Sequence, residues 1–189
     1  MKIFCIKRTL LQVFILTSLV MPGSILADAP LRRPHQYMVC SNDARHCAVA
    51  DPKAGVSVYE VGTEMRDPLW HLDKWPQWSF LANGGNYFVV PYYGYNLLSL
   101  NYTKSTIMLR VWRDGNFKYS LELKDLIKDF GKLERSVSHF FWGYYKGFDE
   151  NGDFIIDTVE GRGLSIDIKT GKITEKYLID IKTGKIIEK

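Results

Sequence analysis

The sequence lacks a concentrated block of charge of one sign. Lys and Arg number 25 and Asp and Glu number 21 among 189 residues, and the two signs are interspersed along the chain. Nucleic-acid binding depends on a cationic face that releases counterions from phosphates, so this pattern argues against a nucleic-acid partner. Metal-binding H-x-x-x-H spacing, a G-x-S-x-G nucleophile motif and a phosphate-binding glycine loop are also missing from the sequence. The sequence therefore predicts no catalytic residue, no metal and no cofactor.

A long hydrophobic run is missing as well. The apolar stretch at residues 9–21 covers 13 residues, whereas a membrane-spanning helix needs about 20. Lys2, Lys7 and Arg8 precede this stretch and Ala27 follows it, which is typical of a cleaved secretory signal peptide at residues 1–27. We expect a periplasmic or secreted protein with no membrane span once the signal is removed. Losing these three positive charges lowers the formal net charge from +4 to +1.

Cysteine is scarce, and its position is informative. Of the 3 cysteines, Cys5 leaves with the predicted signal peptide. Cys40 and Cys47 flank the turn-forming residues Ser41, Asn42 and Asp43, and a hairpin there places the two cysteines opposite each other. Because disulfides persist in exported proteins, we predict a Cys40–Cys47 disulfide, with two free thiols as the alternative.

Three stretches share one pattern, in which an Asn- or Gly-rich turn precedes a β-branched or aromatic strand. The stretches begin at Cys40, Phe80 and Phe148. In the first and third stretches a second turn and another strand follow. The pattern predicts an all-β, mainly antiparallel repeat domain at residues 28–176.

This succession of turn and strand, with D-I-K-T-G-K before the return strand, resembles the blades of WD-repeat and quinoprotein-type β-propellers. The resemblance implies three propeller-blade-like units. Closed propellers have about four to eight blades, so an incomplete ring, a β-sandwich or closure by self-association stay open as alternatives.

One short helix is predicted in the segment at residues 123–133. Leu123, Leu126, Ile127 and Phe130 follow the helical i, i+3, i+4, i+7 spacing, and Gly131 provides a stop.

The chain ends with a duplication. Residues 166–176 recur as residues 179–189 with one change, Thr174 to Ile187. Each copy has the pattern of a strand, a Gly-containing turn and a return strand. We expect residues 177–189 to form an edge hairpin or a frayed tail.

Candidate reaction centres are weak. The segment at residues 149–160 matches a calcium-binding loop at several carboxylate positions, but Phe154 stands where that loop requires glycine. Ser138 and His139 are adjacent, and on a strand they are expected to point to opposite faces.

Aromatic residues are abundant, at 14% of the chain. Most are expected in the core, while W-P-Q-W and P-Y-Y-G-Y-N are expected at turns. Trp75, Trp78, Arg110 and Trp112 are the predicted recognition residues, because aromatic and Arg side chains dominate binding sites. We expect a non-enzymatic binding or scaffold protein of the cell envelope whose partner is a protein or glycan. The alternative is a hydrolase or lyase of envelope carbohydrate that uses Asp149, Asp153 or Asp157.

Overall fold

The computed structural model describes residues 33–64, 66–180 and 183–188 of the chain. In these residues the chain forms sixteen β-strands, one α-helix (α1, Leu123–Leu126) and one 3-10 turn (Phe130–Lys132). The strand pairs defined there are antiparallel. The all-β, mainly antiparallel prediction is therefore confirmed. The predicted signal peptide lies outside the described residues.

The described strands form four sheets. The first sheet contains, in chain order, β1 (Tyr37–Cys40), β2 (His46–Asp51), β3 (Gly55–Glu60) and β4 (Trp70–Leu72). The second has the order β5 (Phe80–Leu81), β6 (Tyr87–Pro91), β8 (Ile107–Arg113) and β9 (Asn116–Glu122). The third has the order β10 (Glu134–Arg135), β11 (His139–Phe141) and β7 (Leu97–Ser99). The fourth contains β12 (Gly143–Phe148), β13 (Phe154–Thr158), β14 (Arg162–Ile166), β15 (Ile173–Ile179) and β16 (Ile186–Glu188).

Two hydrophobic cores meet at the second sheet. Successive side chains of a strand point to opposite faces. On β6, Tyr87 and Val89 enter a large core shared with the third and fourth sheets and α1. Phe88 enters a smaller core shared with the first sheet, and Trp112 of β8 joins it there. Strand β6 is therefore buried on both faces, and one face of β8 lies against the first sheet.

The first hairpin has the predicted geometry. Cys40 of β1 pairs with Cys47 of β2, and a disulfide joins them. Ser41 closes the turn, because its N–H donates to the carbonyl of His46 at 2.9 Å and its hydroxyl donates to Asp43 at 2.6 Å. The predicted disulfide is confirmed.

The helix is shorter than predicted. The apolar spacing extends to Phe130, yet α1 ends at Leu126, and Ile127 is extended with φ −108° and ψ 123°. The carboxylate of Glu160, from the turn between β13 and β14, accepts the backbone N–H groups of Lys128 and Asp129. A side chain distant in sequence thus takes two donors that a longer helix would use.

Both copies of the C-terminal duplication form the same turn. Asp167 accepts the N–H of Gly171 at 2.7 Å, and Asp180 accepts the N–H of Gly184 at 2.7 Å. The first copy connects β14 to β15, and the second connects β15 to β16. The duplication therefore adds a fifth strand to the outer edge of the fourth sheet.

Candidate functional site

Three of the four predicted recognition residues line one cavity. Trp75, Arg110 and Trp112 surround a volume of about 250 Å³ together with other side chains, and we call this space the tryptophan–arginine cavity. The described residues that line it are Leu72, Lys74, Trp75, Pro76, Val90, Arg110 and Trp112. The cavity lies where the first and second sheets meet, because Leu72 belongs to β4 and Arg110 to β8.

Strand register explains why Arg110 and Trp112 share this cavity. Arg110 pairs with Val90, and Trp112 pairs with Phe88. Residues two apart on a strand point to the same face, and this face is turned toward the first sheet. Trp112 is 7% exposed, and its ring packs edge-on against Phe117 at 5.7 Å. Trp112 is thus a fixed wall of the cavity, while Arg110 is exposed at its mouth.

Trp75 is held by contacts from the start of the described chain. Its indole N–H donates to the carbonyl of His35 at 3.2 Å, and its ring meets that of Tyr37 edge-on at 6.3 Å. The Tyr37 hydroxyl donates to the carbonyl of Pro76 at 3.0 Å and also contacts Ser79. Burial raises the pKa of Tyr37, so its hydroxyl stays a donor to more alkaline pH than that of an exposed tyrosine. These bonds fix the segment that carries Trp75.

The charge of the cavity has one sign. Its charged lining residues are Lys74 and Arg110, and among the residues that the structure describes no carboxylate belongs to the lining. Neither cation forms an ion pair within the part of the chain that the structure describes. Arg113, on the same strand, differs: it pairs with Asp114 at 3.4 Å and lies over the Tyr87 ring.

Trp78 lies in a separate cleft. Its ring packs against Tyr95 at 5.2 Å, and its indole N–H donates to the carbonyl of Tyr93 at 3.3 Å. This cleft of about 350 Å³ is also lined by Tyr37 and by Met38, which is 59% exposed. The sequence grouped Trp75 and Trp78, which are three positions apart, but the structure places them on different cavities.

A third, polar cleft of about 620 Å³ was not anticipated from the sequence. It is lined by Asn42, Asp43, Asn83, Phe148, Asp149, Glu150, Asn151 and Lys176. The turns that open the three repeated stretches all contribute to it. The amide of Asn42 donates to the carbonyl of Phe148 at 2.8 Å, and the N–H of Asp43 donates to Asn83 at 3.1 Å. The turn pattern shared by the three stretches marks the residues that line this cleft. The pattern alone does not indicate that the three turns come together in space.

The carboxylates of the enzymatic alternative have separate partners. Asp149 binds Lys176 at 2.6 Å, Asp153 accepts the hydroxyl of Ser165 at 2.8 Å, and Asp157 accepts that of Tyr177 at 2.7 Å. Burial opposes ionisation of Asp149, but hydrogen bonds from Lys176 and from backbone N–H groups outweigh it and lower the pKa. Asp149 is therefore an ionised, structurally bonded carboxylate at neutral pH. In the described residues no group of three or more His, Cys, Asp or Glu side chains could hold a metal ion.

The expectation for Ser138 and His139 was wrong. The two side chains contact each other, with Nδ1 of His139 3.0 Å from Oγ of Ser138. Strand β11 begins at His139, so Ser138 precedes it and the alternation of strand side chains does not apply.

Comparison of the chain with protein-family models finds no matching family, and comparison with curated proteins finds no match. In the described residues no helix is long and apolar enough to cross a membrane. The functional proposal therefore rests on the residues of this chain.

Proposed function

We propose that this chain is an exported, non-enzymatic binding protein of the cell envelope and that the tryptophan–arginine cavity is its recognition site. One observation carries the proposal: Arg110, without an ion pair to a described residue, lies at the mouth of a cavity walled by Trp75 and Trp112. Trp and Arg are the residues most enriched where binding energy concentrates. A tryptophan offers a large apolar surface and a polar edge, and an arginine offers a rigid fork of donors.

The rigidity of the cavity supports a binding role. Trp112 is anchored in the smaller core, and Trp75 is tied to His35 and Tyr37. Side chains that are already fixed lose little conformational entropy when a ligand arrives. The two tryptophan walls of the cavity are therefore organised before binding.

Export is part of the proposal. It is supported by the sequence pattern of a signal peptide at residues 1–27 and by the Cys40–Cys47 disulfide, because disulfides persist in oxidising compartments. The periplasm or the extracellular space is the proposed location, and a protein or glycan of the envelope is the proposed partner.

The proposed architecture is a set of three propeller-blade-like units formed by the first, second and fourth sheets. Support comes from contacts between their corresponding parts. The turns after β1, β5 and β12 meet in the polar cleft, and Phe80 of β5 packs against Phe154 of the fourth sheet at 5.1 Å. A sandwich of sheets is the alternative arrangement. Because three units are fewer than the roughly four to eight blades of closed propellers, we also propose that the chain can self-associate.

The enzymatic alternative has less support. A glycoside hydrolase needs two cooperating carboxyl groups, one of them protonated. Asp149, Asp153 and Asp157 each have a different hydrogen-bond partner, and the pKa of Asp149 is lowered. The binding role is therefore preferred.

Quantitative capture from envelope extract tests the proposal. Four immobilised proteins would be compared for the extract components that they retain: the parent, Trp75→Ala, Trp78→Ala and Arg113→Gln. We expect Trp75→Ala to lose components that Trp78→Ala and Arg113→Gln retain, because Trp75 lines the tryptophan–arginine cavity and Trp78 and Arg113 are not among its lining residues. Equal capture by all four proteins, with far-UV and near-UV circular dichroism showing native folds, would contradict the assignment of this cavity as the recognition site.

A further inference from the structure

The lining of the tryptophan–arginine cavity defines the chemistry of its ligand more narrowly. Lys74 and Arg110 supply two positive charges, and Leu72, Pro76 and Val90 supply apolar surface beside the two indoles. Since the described lining includes no carboxylate, the cations are available to a negative group on the ligand. The ligand must therefore combine an anionic group with a compact body that has an apolar face.

The size of the cavity restricts that body. Drug-sized ligands occupy pockets of about 300 to 1,000 Å³, whereas this cavity measures about 250 Å³. One ring with one charged substituent fits this scale. A phosphate polymer binds through many cations that follow its backbone, and two cations at one cavity do not form such a path.

The surrounding backbone argues against an extended peptide. Peptides commonly bind by adding a strand to a free sheet edge, and β4 is the edge strand beside the cavity. The β8–β9 turn covers part of that edge, because a Cβ at Gly115 would lie only 2.5 Å from the carbonyl oxygen of His71. β8 itself is paired on both sides, by β6 and β9. Recognition must therefore come from side chains.

We propose that the tryptophan–arginine cavity binds a carboxylate-bearing sugar ring of an acidic glycan. Arg110 binds the carboxylate, since a guanidinium matches its two oxygens with two parallel N–H donors. Lys74 adds a second positive charge, and the apolar face of the sugar ring packs against Trp75. This inference rests on the proposed binding function and specifies the ligand class of the same site.

An array of oligosaccharides tests the proposal. It would carry glucuronate-, galacturonate- and sialate-containing glycans, the methyl ester of each, neutral glycans and acidic peptides. The parent protein would be compared with Arg110→Gln, Arg110→Lys, Trp75→Ala and the control Arg113→Gln. Thermal unfolding of each variant would establish that it is folded.

We expect at least one carboxylated glycan to bind, and its methyl ester to bind at least about tenfold more weakly, because hydrogen bonds to a charged group are lost. Arg110→Gln should weaken binding by a similar factor, Arg110→Lys should restore part of it, and Arg113→Gln should leave it unchanged. Trp75→Ala should weaken it independently of salt, whereas the effect of Arg110 should diminish as salt increases.

Three results would overturn the proposal, and they differ in their meaning. If neutral glycans or esters bound as well as the acids, and their binding depended on Trp75 and not on Arg110, the claim that the ligand carries a carboxylate would be refuted. The proposed binding function would remain. If acidic peptides bound in preference to every glycan, the claim that the ligand is a sugar would be refuted. An array with no bound glycan or peptide would refute the ligand class. If capture from envelope extract were also independent of Trp75, the binding function itself would fail.

Discussion

The carboxylate of Glu160 and the guanidinium of Arg162 form an ion pair with side-chain exposures of only 4% and 11%. Nε of Arg162 donates to Glu160 at 3.0 Å, and another guanidinium nitrogen donates to the carbonyl of Leu126 at 2.6 Å. Glu160 also accepts the N–H of Asp129 at 2.6 Å. The pair therefore fastens the segment after α1 to the fourth sheet.

Removing one partner of this pair should destabilise the protein strongly. Glu160→Ala leaves two backbone N–H groups without their acceptor and leaves Arg162 with the longer contact to Glu175, at 3.8 Å. We expect it to lower the free energy of unfolding by about 3 kcal/mol. Urea denaturation measures this value. Glu134→Ala, at an exposed position of β10, is the matched control and should change stability by less than about 0.5 kcal/mol. Equal losses in the two variants would show that the ion pair does not stabilise the fold.

The same residue should make stability depend on acid pH. Burial opposes ionisation of Glu160, but Arg162 and the N–H groups of Lys128 and Asp129 outweigh it and lower the pKa. A lowered pKa means that the unfolded chain binds a proton more readily than the native one. This contribution is complete above the ordinary glutamate pKa of about 4.3 and is lost as the pH falls through the lower native value.

Glu160→Gln tests this pH dependence, because the amide does not titrate. The melting temperatures of the parent and of Glu160→Gln should differ most at neutral pH and should converge below about pH 4. A constant difference from pH 7 to pH 3 would be incompatible with a lowered native pKa at this carboxylate.

The disulfide should stabilise the first hairpin despite its short loop. Chain-entropy estimates give about 2.5 kcal/mol for the eight-residue loop that begins at Cys40 and ends at Cys47. We expect the double variant Cys40→Ser/Cys47→Ser, and the parent protein treated with reductant, to lose similar amounts of unfolding free energy. Denaturation with and without reductant measures both. A parent protein whose stability does not respond to reductant would contradict this role for the bond.

Features decided by neighbouring residues were predictable from the sequence. An Asp-Gly pair favours a two-residue hairpin turn, and Asp114 and Gly115 adopt the positive φ that this turn requires, at 49° and 76°. The pairing of Cys40 with Cys47 is another such feature, since the turn residues between them determine the register. Local turn chemistry was sufficient for these features.

Features decided by distant contacts were not predictable in the same way. The helix ended early because Glu160, more than thirty positions away, binds the N–H groups of Lys128 and Asp129. Likewise, residue type indicated Trp75, Arg110 and Trp112 as recognition residues, but only the packing of the first sheet on the second brings them together. Trp78, close to Trp75 in sequence, faces a different cleft for the same reason.

Two truncations would separate the structural roles of the C-terminal residues. Ending the chain after Asp180 removes β16, whose Ile186 and Ile187 are 60% and 53% exposed. Because little apolar area is lost, we expect the free energy of unfolding to change by less than about 1 kcal/mol. Ending the chain after Lys176, where the first copy of the duplication stops, also removes Tyr177 and the end of β15.

The truncation after Lys176 should cost at least about 2 kcal/mol, because it removes both packing and hydrogen bonds from the fourth sheet. The Tyr177 hydroxyl donates to Asp157 at 2.7 Å, and its ring covers Gly163 so closely that a Cβ there would clash with it. Ile179 also donates its N–H to the carbonyl of Gly161 at 2.6 Å. Chemical denaturation of the two truncated proteins measures the difference. If the two truncated proteins were equally stable, Tyr177 and the end of β15 would contribute nothing to stability. If the truncation after Asp180 already cost about 2 kcal/mol or more, β16 would be an integral strand of the sheet and not an addition to its edge.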